Sequence, residues 1–172
     1  MTKLLLDIRN QPGELLKSLR HTLGGGRAAL ARAAELVRRA EHVFVTGIGS
    51  SWHAGMAIQS LFHAAGRPVH LADASELLHF TALPKGSALI ALSRSGKSVE
   101  IVKLLDKAQQ AGARVIGVTN TPESPLGQRA EATLFLNAAF DHNISISMYS
   151  ALTLVGGLLA AESLGLLDAG LA

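Results

Sequence analysis

Hydroxyl side chains and glycines recur at two places in this chain in a pattern that suits an anion. One is Ser93-Arg94-Ser95-Gly96-Lys97-Ser98, with three hydroxyls, a glycine and two cations in six consecutive residues. The other is Gly47-Ile48-Gly49-Ser50-Ser51-Trp52. Glycines let the backbone turn tightly and leave amide groups uncovered. Serines at the start of a helix add O–H donors where the helix dipole already favours negative charge. A phosphate monoester needs this set: bare amides, hydroxyl donors and a nearby cation. Neither loop carries a carboxylate that would repel it.

Other readings of the same residues stay open. Ser98 alone reads as a helix N-cap, and the first loop alone reads as a turn with capping serines. The second loop lacks the leading glycine and spacing of a Walker loop. The first resembles a dinucleotide fingerprint, and Asp73 lies about 20 residues further on, where a ribose-binding acid is sought. Trp52, however, occupies the third glycine position, and an indole there obstructs the close helix–strand packing of a dinucleotide fold.

The elements that must position these loops follow from the apolar period. Pro12 is placed in a first helical turn, with Leu15, Leu16 and Leu19 at helical spacing until Gly24-Gly25-Gly26 stops the helix. A second helix is expected from Arg27 to Glu41, with Leu30, Ala34 and Val37 on its apolar stripe. Short apolar runs then alternate with helical patterns. Strands are expected at Val43–Val45, Val69–Leu71, Ala88–Leu92, Val115–Val118 and Thr133–Leu136. Helices are expected around Ala54–Ala65, Ile101–Ala108, Leu126–Ala130 and Ser147–Leu164. Continuous apolar strands alternating with helices imply a parallel sheet covered on both faces. The expected fold is α/β: a three-layer, doubly wound, flavodoxin-like domain with five parallel strands and an N-terminal helical extension. In such sheets ligands bind beyond the carboxyl ends of the strands. Both serine loops fall there.

Composition bounds the rest. The 172 residues suit one domain, and 48% hydrophobic against 17% charged residues describe a folded, apolar-rich chain. The surplus apolar surface, on the last helix and the N-terminal arm, predicts at least a homodimer or a second domain. A net charge of +3, scattered along the chain, argues against nucleic acid. The chain has no cysteine, hence no disulfide framework and no thiolate metal site. No signal-peptide pattern opens it, and the run at Ala151–Ala161 is short of the ~20 residues of a membrane span. A cytoplasmic protein without a cofactor or a membrane partner is the expectation.

At these loops the chain resembles the SIS (sugar isomerase) domain family. The hydroxyl signature Ser-x-Ser-Gly-x-Ser/Thr stands at Ser93 to Ser98, and Gly49-Ser50-Ser51 matches the first loop. More narrowly, Ile8 through Gln11-Pro12, Gly49-Ser50-Ser51-Trp52, Ser93–Ser98 and Asn137-Ala138 in that order are similar to the first half of the isomerase region of glucosamine-6-phosphate synthase and its tandem-SIS relatives. The resemblance implies residues 1–41 as a helical extension and 42–172 as an SIS phosphosugar-binding domain. It implies that Gly49, Ser50, Ser51, Ser93, Arg94, Ser95, Gly96 and Ser98 hold the phosphate and nearby sugar hydroxyls, with backbone near Ile144 to Ser147 along the sugar. Arg94 and Lys97 depart from the family's glutamine and glutamate, and Ile144-Ser145-Ile146-Ser147-Met148 lacks its Ser-Thr-Lys run. The tandem relatives carry a second such domain that supplies the residues of aldose–ketose interconversion. The resemblance therefore implies half of a phosphosugar isomerase or aminosugar-phosphate isomerase/deaminase, or a domain completed by a second copy; a non-catalytic sugar-phosphate sensor is the alternative.

Moving a proton between adjacent sugar carbons needs a base. Asp141 and His142, before the last helix, are the local candidates, although capping that helix is the commoner role for such an aspartate. Glu100 reads as a dipole partner, and Glu76 lies near the second strand. His53 is close to Ser50 in sequence. The seven histidines show no i, i+4 pair with a third ligand, so no metal site is expected.

Overall fold

The computed structural model describes residues 1–142 and 144–167. Two helices, α1 (Lys3–Leu23) and α2 (Arg27–Arg39), precede β1 (Val43–Gly47) and α3 (Ser50–Ala64). Then come β2 (His70–Asp73), α4 (Ala74–His79), β3 (Ala88–Leu92), α5 (Val99–Ala111), β4 (Arg114–Thr119), α6 (Pro125–Arg129), β5 (Ala132–Phe135) and α7 (Ser147–Ser163). The five strands form one parallel sheet in the order β2-β1-β3-β4-β5. This is the doubly wound arrangement that the alternating pattern implied.

Each central strand is buried on both faces, so its apolar run divides between two cores. Val43, Val45, Ile90, Leu92, Ile116 and Val118 join Ile58 and Phe62 of α3, Leu30 and Val37 of α2, and Leu152 and Val155 of α7 in the first core. Phe44, Leu89, Ala91 and Val115 face the other way, onto Leu77 of α4, Leu104 and Leu105 of α5 and Leu126 of α6. A fully buried leucine or valine contributes roughly 1.5–3 kcal/mol. Leu30 and Val37, both fully buried, therefore tie α2 firmly to the sheet domain.

Three features differ from the sequence expectation. Helix α1 starts at Lys3, where the Thr2 hydroxyl accepts the Leu5 amide (3.3 Å), and Pro12 lies inside it instead of in its first turn. The ring costs the helix one amide hydrogen bond, but polar side chains on both sides of Pro12 are anchored to the body of the domain. Helix α4 was not foreseen: its six residues are too few to show a period, and Asp73 caps it by accepting the Ser75 amide (2.9 Å). Finally, the apolarity of α7 is used within the chain. Met148, Ala151, Leu152, Val155, Leu159 and Ala160 are buried in the first core, so most of this helix has no surface to offer a partner. Among the described residues, no helix is long and apolar enough to cross a membrane.

Candidate functional site

The strand order reverses between β1 and β3: β1 pairs with β2 on one side and β3 on the other. The helix after β1 packs into the first core and the helix after β3 into the second. The two loops therefore diverge from neighbouring strand ends and leave a crevice between them. A cleft of about 290 Å³ opens there, lined by Ile48, Ser50, Ser51, Leu92, Ser93, Arg94, Ser95, Ser98, Ile101 and Ser145. This is close to the lower end, ~300 Å³, of small-ligand sites.

The first loop is shaped by Gly49, whose φ of +55° and ψ of −120° suit only glycine. It delivers Ser50 and Ser51 as the opening residues of α3. The second loop is held more tightly. Its start is pinned to β4 and the residue after it through the Ser93 amide to the Val118 carbonyl (3.0 Å) and the Asn120 amide to the Arg94 carbonyl (3.0 Å), and the Thr119 hydroxyl also donates to the Arg94 carbonyl (3.2 Å). Gly96 has φ +62°, and a Cβ there would lie 2.1 Å from Ser124 Oγ, so the chain turns where no side chain fits. Its amide donates to the Ser93 hydroxyl oxygen (3.1 Å), leaving the Ser93 proton available to a ligand. The Ser95 oxygen accepts the Lys97 amide at 3.4 Å. Ser98 occupies the N-cap of α5, yet its side chain makes no capping bond. That hydroxyl is left for something else.

Two helix N-termini, of α3 and α5, thus converge on one cleft with six serines along its lining. Each terminus carries roughly half a positive charge. Among the described lining residues the only charged one is Arg94, whose guanidinium stacks 5.9 Å from the centroid of the Phe140 ring. The chemistry on offer is neutral O–H donation, bare N–H groups and one cation, directed at an oxyanion.

Of the expected site residues, Ser50, Ser51, Ser93, Arg94, Ser95 and Ser98 come together in this lining. Gly49 and Gly96 shape the loops without lining the cleft. Ser145, from the segment before α7, was reached only through the family resemblance, and Ile48, Leu92 and Ile101 were not foreseen. Asp141 and His142 do not line it. Asp141 caps α7, its two carboxylate oxygens accepting the amides of Ile146 (3.1 Å), Ser147 (2.9 Å) and Met148 (3.0 Å). His142 is bonded through Nδ1 to Asp7 (2.6 Å), and that hydrogen bond holds the Asp7 carboxyl below its ordinary value. The His53 ring is exposed and bonds back to the Gly49 carbonyl (2.8 Å). Asp73 is the cap of α4, which accounts for its position without a ribose.

The SIS domain profile matches residues 36–161, nearly all of the sheet and its helices. The chain belongs to the SIS domain family. Over 165 residues this SIS chain is 29% identical to the isomerizing glutamine–fructose-6-phosphate aminotransferase of Pyrococcus horikoshii, a match that covers 94% of this chain and 27% of the relative. It is 33% identical over 132 residues to the arabinose 5-phosphate isomerase KdsD of Pseudomonas aeruginosa, covering 74% of this chain and 40% of that protein. It thus spans between about a quarter and a half of the length of such curated relatives. In structure it is similar to the C-terminal domain of glucosamine–fructose-6-phosphate aminotransferase from Francisella tularensis, with a TM-score of 0.85 and 21% identity over 95% of this chain and 48% of that one. The NanR protein of Vibrio vulnificus, complexed with ManNAc-6P, gives a TM-score of 0.73 at 23% identity, over 94% of this chain and 61% of that one.

Proposed function

We propose that this SIS domain binds the phosphate of a sugar phosphate at Gly49, Ser50, Ser51, Ser93, Arg94, Ser95, Gly96 and Ser98, and works as part of a phosphosugar or aminosugar-phosphate isomerase. One observation carries this: six serines on three chain segments line a single cleft where two helix N-termini meet. Hydroxyls and amides stabilise a phosphate by hydrogen bonds without the desolvation that a buried cation would need. The names of the relatives agree with that chemistry, since they are a fructose-6-phosphate aminotransferase and an arabinose 5-phosphate isomerase.

In this reading residues 42–172 are the phosphosugar-binding domain, and residues 1–41 are a helical arm whose second helix shares its core. The last residues of that span, 168–172, lie outside the described structure. The proton-moving base comes from a second SIS domain or a second copy, because the described lining contributes hydroxyls and Arg94 but no carboxylate or imidazole. The exposed apolar residues Leu4, Ile8 and Leu16 of α1 are the surface assigned to that second copy, in a cytoplasmic dimer. The lining composition equally favours a second reading, a sensor that binds the ester without turning it over.

Thermal-shift titration with glucose 6-phosphate, fructose 6-phosphate, glucosamine 6-phosphate and arabinose 5-phosphate tests the site. A Ser95→Ala/Ser98→Ala double variant that keeps full stabilisation by the best of these would remove the assignment. Exchange of the sugar C2 proton with heavy water tests for a base supplied by a second copy: a catalytic dimer of this chain washes the proton out, binding alone does not.

A further inference from the structure

The segment between β5 and α7 carries Ser145 to the cleft, and its anchorage is unlike that of the serine loops. Four polar residues of α1, namely Asp7, Gln11, Glu14 and Ser18, are spaced so that they share one helical stripe. Every one of them bonds to this segment or to the start of α7. Ser18 Oγ donates to the Leu136 carbonyl (2.5 Å), and the Glu14 carboxylate accepts the Ala139 amide (2.6 Å). Asp7, itself buried, accepts both the amide (3.0 Å) and the ring Nδ1 (2.6 Å) of His142. Gln11 Nε2 donates to Ser150 Oγ (2.6 Å) and reaches the Ile146 carbonyl at 3.5 Å. The chain runs antiparallel along α1 from Ser18 to Asp7 and then returns to Gln11, so Ser145 lies on the return. Between the pinned residues Leu136 and Ala138, Asn137 takes φ +50°, a conformation unusual for a non-glycine residue.

We propose that Asp7 and Gln11 are positioning residues of the site: through the stripe of α1 they set the wall that faces the sugar, while the phosphate end is independent of them. This assignment rests on the reading of the cleft as a sugar-phosphate site. The physical ground is the separation of anchors. The Ser93–Ser98 loop is tied to β4 and the residue after it by backbone bonds within the sheet domain, and the Gly49–Ser51 loop closes on itself through the Ser51 amide to the Ile48 carbonyl (3.1 Å). The Ser145 segment starts from a main-chain bond, the Leu136 amide to the Thr119 carbonyl (3.0 Å), touches the serine loop through Phe140 and Arg94, and has its Asn120 and Asp141 contacts; its remaining ties run to α1, through α1's side chains. Removing those side chains takes anchors from one wall, while the Ser93–Ser98 wall keeps its main-chain bonds to the Val118 carbonyl and the Asn120 amide.

The test uses the full chain with Asp7→Ala/Gln11→Ala, and with Asp7→Asn as a milder variant that keeps one acceptor oxygen. Hydrogen exchange on the unliganded protein should show faster exchange at Ala139, His142 and Ile146 to Met148, with the strands unchanged. Calorimetry should show arabinose 5-phosphate and glucosamine 6-phosphate bound about tenfold more weakly, the cost of roughly one hydrogen bond. Inorganic phosphate should hold within about twofold of its original affinity, and Asp7→Asn should fall between the double variant and the original chain. Unchanged exchange in the segment, or inorganic phosphate lost in step with the sugar esters, overturns the assignment. An original chain that binds neither ester overturns the sugar-phosphate reading itself, and that failure is separable because the exchange experiment needs no ligand.

Discussion

The two walls of the cleft are built by different physics. On one side, Ser93–Ser98 is a short loop between β3 and α5, pinned to the adjacent strand β4 by main-chain bonds and closed by a glycine where a Cβ would meet Ser124. On the other, Ser145 sits on an irregular segment that borrows its order from α1, more than a hundred residues earlier in the chain. On the proposed reading, a charged phosphate and a neutral sugar meet parts that are anchored differently. The serine loop is held by main-chain bonds to β4, so if it takes the anion its donors need not be gathered at the moment of binding. The Ser145 segment is held in large part by side chains of α1, whose removal leaves the main-chain bonds of the sheet intact.

The largest effect is expected at Gly96. Gly96→Val forces a β-branched residue into φ +62° and into overlap with Ser124, and should cost about 3 kcal/mol or more. Denaturant unfolding measures it, and phosphate binding should vanish with it. A loss below about 1 kcal/mol would mean that this wall is as pliable as the other.

Ser98→Ala sharpens the same wall. Because the hydroxyl makes no capping bond, stability should change by less than about 0.5 kcal/mol while affinity for a sugar phosphate falls about tenfold. A stability loss near the ~1 kcal/mol of a true N-cap, with affinity intact, would return Ser98 to a structural role.

Acid probes the other wall. The hydrogen bond from His142 lowers the Asp7 carboxyl below its ordinary 3.8, so the folded state holds this proton less tightly than the unfolded one. The stabilisation is present above 3.8 and is lost as pH falls through the lower folded value. Asp7→Asn should therefore lower the melting temperature relative to the original chain at pH 6, and the difference should close towards pH 3. A constant difference across that range would show that the charge of Asp7 is not what ties α1 to the segment.

The smallest effect on the fold is expected on the outer stripe of α1. Leu4→Glu/Ile8→Glu, at exposed positions, should leave unfolding within about 0.5 kcal/mol. In sedimentation it should shift the chain from dimer to monomer. An unchanged sedimentation coefficient would remove the proposed α1 interface.

Much of this molecule is legible in its sequence because strands buried on both faces read as continuous apolar runs, as at Ala88–Leu92, and helices read at their own period, as at Ile101 to Ala108. The serine loops were legible because hydroxyl density after a strand has few structural uses. Helix α4 was not, since six residues show no period. Nor was the true start of α1, because its first turns are stabilised by polar bonds to residues far along the chain and not by an apolar stripe. Asp141 and His142 looked like chemistry only because a carboxylate and an imidazole stood together; folded, one caps α7 and the other meets Asp7.

What the sequence determined by itself is local: where hydroxyls, glycines and apolar periods fall, hence the strands, the sheet class and the loops able to take an anion. Tertiary structure alone decided which strands became neighbours, and so that the loops after β1 and β3 flank one crevice. It also decided that a stripe of α1 meets the segment carrying Ser145. Register between distant segments depends on packing and hydrogen bonds summed over the whole chain, and no window of residues contains that sum.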